Sequence, residues 1–158
     1  MIDDPERLRI LYNTGLLDKA PGETLRRTVG LAAEALSVPS AAICLVDRTR
    51  QYLACGVGLP DGIAESHTLS LDQSIAKYIV ASGRPLVIED IRADPTLRHH
   101  PAVSAGAVAS YLGVPLTNSG GFTVGALCAW DRRPRTWSDG HVMMLRDLAD
   151  VLTLQIFR

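Results

Sequence analysis

The side chains able to do chemistry in this 158-residue chain are few and scattered. Three cysteines, Cys44, Cys55 and Cys128, stand far apart, with no Cys-x-x-Cys pair to gather a structural zinc ion. Cys44 and Cys128 lie inside apolar, strand-like runs, where a free thiol behaves as a small hydrophobe. Cys55 is the thiol left for redox chemistry. Of the four histidines, only His99 and His100 adjoin, and neighbours in sequence rarely ligate one metal together. The chain has no Gly-x-x-x-x-Gly-Lys or Gly-x-Gly-x-x-Gly loop for phosphates and no His-Glu-x-x-His metal helix. No serine occupies a Gly-x-Ser-x-Gly turn. These side chains are therefore expected to pack or to bind rather than to catalyse.

Composition narrows the classes further. Apolar residues make up 47% and charged residues 21%, enough to build a core and too much for a disordered chain. Sixteen basic against seventeen acidic residues leave a net charge of −1. There is no basic excess or stripe of the kind a nucleic-acid binder shows. The longest apolar stretch, from Phe122 to Trp130, is about nine residues against the ~20 of a spanning helix, so no membrane partner is expected. The start of the chain is acidic and carries no apolar core, unlike a secretory signal. Unpaired cysteines then point to a reducing cytoplasm. The length suits one domain, residues 1–158.

The elements that must position these groups follow from local signals. Asp4-Pro5 opens a first helix, with Asp as N-cap, Pro at the first helical position and an apolar stripe at Leu8, Leu11 and Tyr12. Leu25, Val29, Ala32 and Leu36 predict a second helix over 23–37, ended by Val38-Pro39. Residues 40–47 and 51–58 read as a strand hairpin, and 59–70 as a loop. A third helix follows Leu71-Asp72-Gln73-Ser74 and stops at Ser82-Gly83. A short strand over 85–89 and an irregular stretch over 90–104 come next. Two more strands, 108–116 and 122–130, flank a hairpin loop at 117–121. Ser138 caps a final helix. Without regular βαβ alternation, the pattern predicts an α+β fold on an antiparallel sheet.

The order of blocks in the second half resembles the GAF domains of bacterial sensor proteins. The blocks are Val80-Ala-Ser-Gly-Arg-Pro-Leu-Val-Ile-Glu-Asp90, Asp94-Pro95, Pro101-Ala-Val103, Ser110-Tyr-Leu-Gly-Val-Pro-Leu116, Val124-Gly-Ala-Leu-Cys-Ala-Trp-Asp131, Arg133-Pro-Arg135 and Trp137-Ser138. The resemblance implies a central antiparallel sheet of five or six strands. Terminal helices would cover one face; a lid of helix and loop would cover the other and enclose a small-molecule pocket. It implies a cytoplasmic, non-catalytic sensory module that binds a small molecule of unknown identity. Such a module relays a signal through its terminal helices to a kinase or phosphatase output domain, as in two-component systems. A ligand-free dimerisation scaffold is the alternative, with a thiol-based redox sensor or enzyme behind it. Several branches of the family do not fit. The Asn-Lys-x(n)-Phe-x(3)-Asp-Glu signature of cyclic-nucleotide binders is missing, as is the Asp-Ile-Pro motif of bilin binders. The methionine-sulfoxide-reducing branch clusters cysteines in its lid, whereas residues 59–107 contain none. No cofactor is assigned.

Carried onto this sequence, the resemblance marks Tyr111, Ser74, Tyr78 and Asp90 as pocket residues, with His67 and His99 in the lid loops. Each also has a plain structural role open to it. Tyr111 could be a core tyrosine, Ser74 a helix cap, Asp90 a loop cap, and the histidines solvated. Ser74 and Tyr78 are expected one helical turn apart on one face. In the last helix Val142, Leu145, Ala149, Leu152 and Ile156 repeat at heptad spacing. Met144, Leu148 and Val151 form a second apolar row. The first row is the expected seam of a parallel homodimer, unless both rows face one broad core.

Overall fold

A computed structural model describes residues 2–18, 21–59, 67–104 and 106–157. Its helices are α1 (Pro5–Asn13), α2 (Glu23–Leu36), α3 (Ala76–Ser82), α4 (Pro101–Ser104) and α5 (Asp139–Ile156). Its strands are β1 (Ser40–Val46), β2 (Arg50–Val57), β3 (Thr68–Ser70), β4 (Leu86–Ile88), β5 (Ser110–Thr117) and β6 (Thr123–Asp131). Two 3-10 turns, Leu71–Gln73 and Ile91–Ala93, precede α3 and follow β4. The sequence signals for helix ends hold. The Asp4 carboxylate accepts from the Glu6 N–H at 2.9 Å, with Pro5 in the first turn. Ser138 caps α5, and its partner in the capping box is His141, whose Nδ1 accepts from the Ser138 N–H at 3.1 Å.

All strand pairs are antiparallel, and the six-stranded sheet runs β3-β2-β1-β6-β5-β4. Every residue of β1 is buried. Side chains alternate across a strand, and both faces of this sheet are covered. Ala41, Ile43 and Leu45 enter the layer beneath α1, α2 and α5, with Leu11, Val29, Leu127 and Leu152. Ala42, Cys44 and Val46 enter the layer beneath α3 and the second 3-10 turn, with Ile79, Ile91 and Cys128. The predicted covering of the two faces is thus observed. Segment 59–70, expected as loop throughout, contributes β3, a three-residue edge strand held by Arg50, Gln51 and Tyr52. Residues 60–66 of that segment lie outside the described residues.

Two glycines set the closeness of these layers. A Cβ on Gly113 would lie 2.4 Å from Ile79 Cδ1, so α3 packs directly on the backbone of β5. A Cβ on Gly125 would lie 2.0 Å from the Cys44 carbonyl oxygen, so here the close neighbour is the adjacent strand β1. Pro115 lies beyond residues 111–113, the stretch of β5 that β4 pairs, so no ladder bond to β4 is asked of it.

The α5 seam needs correction. Leu145, Ala149, Leu152 and Ile156 are buried in the chain's own core, and Val142 packs half-buried against it. Heptad spacing and the stripe of a sheet-packed helix differ too little for the sequence to separate them over so short a helix. The outward side carries Leu154 (78% exposed), Met143 (63%), Val151 (47%) and Met144 (41%). Among the described residues no helix is long and apolar enough to cross a membrane.

Candidate functional site

Between the sheet and the lid lies a cavity of about 80 Å³. We use "lid" for α3, α4, the two 3-10 turns and the segments joining them. Cys44 of β1, Gln51 and Leu53 of β2, Tyr111 of β5 and Trp130 of β6 form the floor; Gln73, Ile75 and His100 come from the lid. Gln51 and Leu53 share this face because they are two apart on β2. A bulge then gives Ile43 and Cys44 the partners Cys55 and Leu53, with Ala54 the extra residue. It turns Cys55 to the opposite layer, with α2.

Tyr111 is 4% exposed. Its hydroxyl donates to Cys128 Sγ at 2.8 Å, and its ring stacks on Trp130 with centroids 6.4 Å apart. Burial, reinforced by the neighbouring thiols of Cys128 and Cys44, pushes the phenol well above its ordinary value. The Cys44 thiol is pushed up by its hydrogen bond with Cys128 and by burial. Both groups are therefore neutral at pH 7. Burial also raises the Cys55 thiol, against the pull of Arg26. All three cysteines are free and buried, the opposite of the exposed, electropositive setting that activates a thiol.

Ser74 is fully buried, donates to Gln51 Oε1, and accepts from the Lys77 N–H at 3.1 Å. It both satisfies a first-turn amide of α3 and fixes the Gln51 amide that borders the cavity. The expected pairing of Ser74 with Tyr78 is not found. Ser74 precedes α3 in extended backbone, so the one-turn relation does not apply. Tyr78 is exposed, with the Lys77 ammonium 5.3 Å from its ring centroid. Asp90 caps the second 3-10 turn, accepting from Arg92 N at 3.1 Å and from Arg92 Nε and Nη2 at 3.0 Å. The Arg92 guanidinium holds its carboxyl below the ordinary range, and Asp90 is not among the residues lining the cavity. His99 is exposed. His67 adopts left-handed backbone (φ +59°). Its carbonyl accepts from Leu53 N at 2.8 Å, and its side chain borders a separate groove near Cys55 and Arg26.

Of the six expected pocket residues, the structure brings Tyr111 to the cavity wall and Ser74 just behind it. Gln51, Gln73, His100, Cys44 and Trp130 were missed. An amide alternating with Leu53 along a strand was the available signal for Gln51. For His100, nothing local separates it from exposed His99. His100 is buried, and its imidazole hydrogen-bonds the Gln73 backbone. Among the described residues no three His, Cys, Asp or Glu side chains gather as a metal site.

The block Asp131 to Trp137 is a strap outside the cavity. Arg135 Nη1 donates to the Ser37 carbonyl at 2.7 Å and to Asp131 Oδ2 at 3.0 Å, and Nη2 donates to the Leu36 carbonyl at 3.2 Å. The guanidinium thus closes the C-terminus of α2. Trp137 Nε1 donates to the Ile88 carbonyl of β4 at 2.9 Å.

The family model described as "GAF domain" matches residues 18–156. A cyclic di-GMP phosphodiesterase of Pseudomonas aeruginosa is 26% identical over 156 residues, covering 98% of this chain and 26% of that protein. The chain therefore spans about a quarter of the length of that relative. Solved structures share the fold. The GAF domain of a phosphoenolpyruvate-protein phosphotransferase from Coxiella burnetii superposes with a TM-score of 0.70 at 19% identity, covering 95% of this chain and 92% of that one. A domain of a putative two-component sensor histidine kinase from Sinorhizobium meliloti gives 0.69 at 20% identity, covering 89% and 94%. The free methionine-R-sulfoxide reductase of Neisseria meningitidis gives 0.68 at 21% identity, covering 95% and 87%.

Proposed function

The chain belongs to the GAF domain family, and from that premise we propose that it is a non-catalytic regulatory module. A small molecule occupies the cavity under the lid, and its presence is passed through the sheet to α1 and α5. The observation that carries this reading is the placement of β5. Tyr111 walls the cavity, while the next residue, Leu112, packs beneath the terminal helices. A shift of one close-packed strand is therefore felt on both faces of the sheet. The module works in the cytoplasm of a bacterium and self-associates through its terminal helices. It regulates an output domain such as a kinase or phosphatase, a place supported by the match to 26% of a longer cyclic di-GMP phosphodiesterase. The raised Cys44 and Cys55 thiols count against a redox or enzymatic role.

Native mass spectrometry and an absorbance spectrum of freshly purified protein test this reading. A retained non-protein mass, lost on denaturation and weakened by Tyr111→Ala in a variant shown to be folded, is the expected result. A second reading rests on cavity size. At about 80 Å³ the space is well under the roughly 300–1,000 Å³ of typical ligand pockets, as in a ligand-free scaffold. Bare polypeptide mass, together with no stabilisation by any small molecule in a metabolite screen, would select the scaffold.

A further inference from the structure

The described wall of the cavity carries no charged side chain. Its polar groups are the amides of Gln51 and Gln73, the Tyr111 phenol, the Trp130 indole and the His100 imidazole, and the rest is aliphatic or thiol. No Lys, Arg, Asp or Glu is among the described lining residues. The sequence between Leu53 and His67 contains no Lys, Arg or His. Lys77, near His100, carries its ammonium over the exposed Tyr78 ring. His100 itself is held below its ordinary value by burial, against the Gln73 backbone and with help from the Lys77 charge, so it is neutral at pH 7. Two of the remaining polar groups are already engaged, the Tyr111 hydroxyl with Cys128 and the Gln51 carbonyl oxygen with Ser74.

An anion entering here would lose its water and find no opposite charge. Nothing in the described wall offsets that lost hydration. An apolar molecule meets no such barrier; a dry apolar cavity of about 150 Å³ suffices to bind benzene. We propose that this cavity selects a small uncharged molecule, no larger than about one aromatic ring, and rejects nucleotides and other phosphate- or carboxylate-bearing signals. The proposal rests on the binding reading above. It also separates this chain's cavity from the substrate that names its phosphodiesterase relative. Ring-sized ligands need outward movement of Leu59 or Leu69, which are only partly buried.

The test compares molecules of one shape and different charge. The purified chain is titrated with toluene, benzamide, benzoate and cyclic GMP, followed by amide NMR shifts and thermal unfolding. Toluene and benzamide are expected to saturate one site and raise the unfolding temperature. Benzoate should bind at least tenfold more weakly than benzamide, and cyclic GMP should not shift cavity resonances. Leu69→Lys, which places a cation at the rim, should narrow the benzamide-to-benzoate ratio at least fivefold. Benzoate or cyclic GMP binding as tightly as benzamide overturns the charge selection while leaving the regulatory module intact. So does an unchanged ratio in folded Leu69→Lys. If neither toluene nor benzamide binds, the proposal fails, and native mass spectrometry tells the two failures apart. A retained anionic ligand removes only the ligand class; bare polypeptide removes the binding reading with it.

Discussion

At the scale of single residues, steric contact and burial set the consequences of change. Gly125→Ala must push its methyl group against the Cys44 carbonyl, a backbone atom inside the sheet. Gly113→Ala meets the end of the Ile79 side chain, which has a rotamer to give, though within a packed core. Overpacking a core costs about 1–3 kcal/mol, so Gly113→Ala should fall in that range and Gly125→Ala above it. Urea unfolding of both variants checks the order. His100 predicts a pH effect. Burial keeps its folded-state value below that of the unfolded chain. As pH falls below about 6.5, the unfolded chain takes up the proton first and stability declines. The loss levels off once pH passes below the folded value. His100→Gln should flatten the dependence of the urea midpoint between about pH 7.5 and pH 5.5 relative to the parent chain.

At the scale of elements, the strap after β6 joins pieces that lie far apart in sequence. Burial alone would raise the Asp131 carboxyl, but hydrogen bonds from Arg135 and from the Arg132 and Arg133 backbone, with the Arg133 charge, hold it below its ordinary value. Its contribution to stability is therefore present above about pH 3.9 and lost as pH falls through the lower folded value. Removing Arg135 takes the nearest guanidinium from Asp131 and opens the last carbonyls of α2. Arg135→Ala should cost about 1.5–3 kcal/mol, the range for hydrogen bonds to charged groups, because Asp131 keeps the Arg132 N–H and the Arg133 guanidinium. Arg135→Lys should recover only part of this, because a single ammonium cannot reach both carbonyls and the carboxylate in the same fork. Chemical denaturation of the two variants at neutral pH provides the comparison.

At the scale of the whole molecule, the two sides of α5 separate stability from assembly. Leu152 is fully buried and Leu154 is 78% exposed, two residues apart on one helix. Leu152→Glu should abolish cooperative folding, because it buries a charge in the main core. Leu154→Glu should change stability by no more than about 0.5 kcal/mol. If the module self-associates as proposed, Leu154→Glu should shift a dimer toward monomer in sedimentation equilibrium at tens of micromolar. A parent chain that sediments as monomer, or a dimer unaffected by Leu154→Glu, would count against an interface on this side.

Features that depend on near neighbours and on order along the chain were legible before any fold was known. Asp4-Pro5, Ser138 and Gly83 marked helix ends because caps act within one turn, and alternating or continuous apolar runs marked the strands. The succession of blocks pointed to the family and its two covered faces. Facing and depth were decided only in three dimensions. The bulge at Ala54 sends Cys55 and Leu53 to opposite layers, and adjacent His99 and His100 part company at the edge of the lid. The heptad row of α5 is taken by the chain's own sheet, because a stripe of apolar side chains does not state which surface will cover it. The cavity is likewise a product of assembly: its described wall is drawn from β1, β2, β5, β6 and the lid, and no single segment contains it.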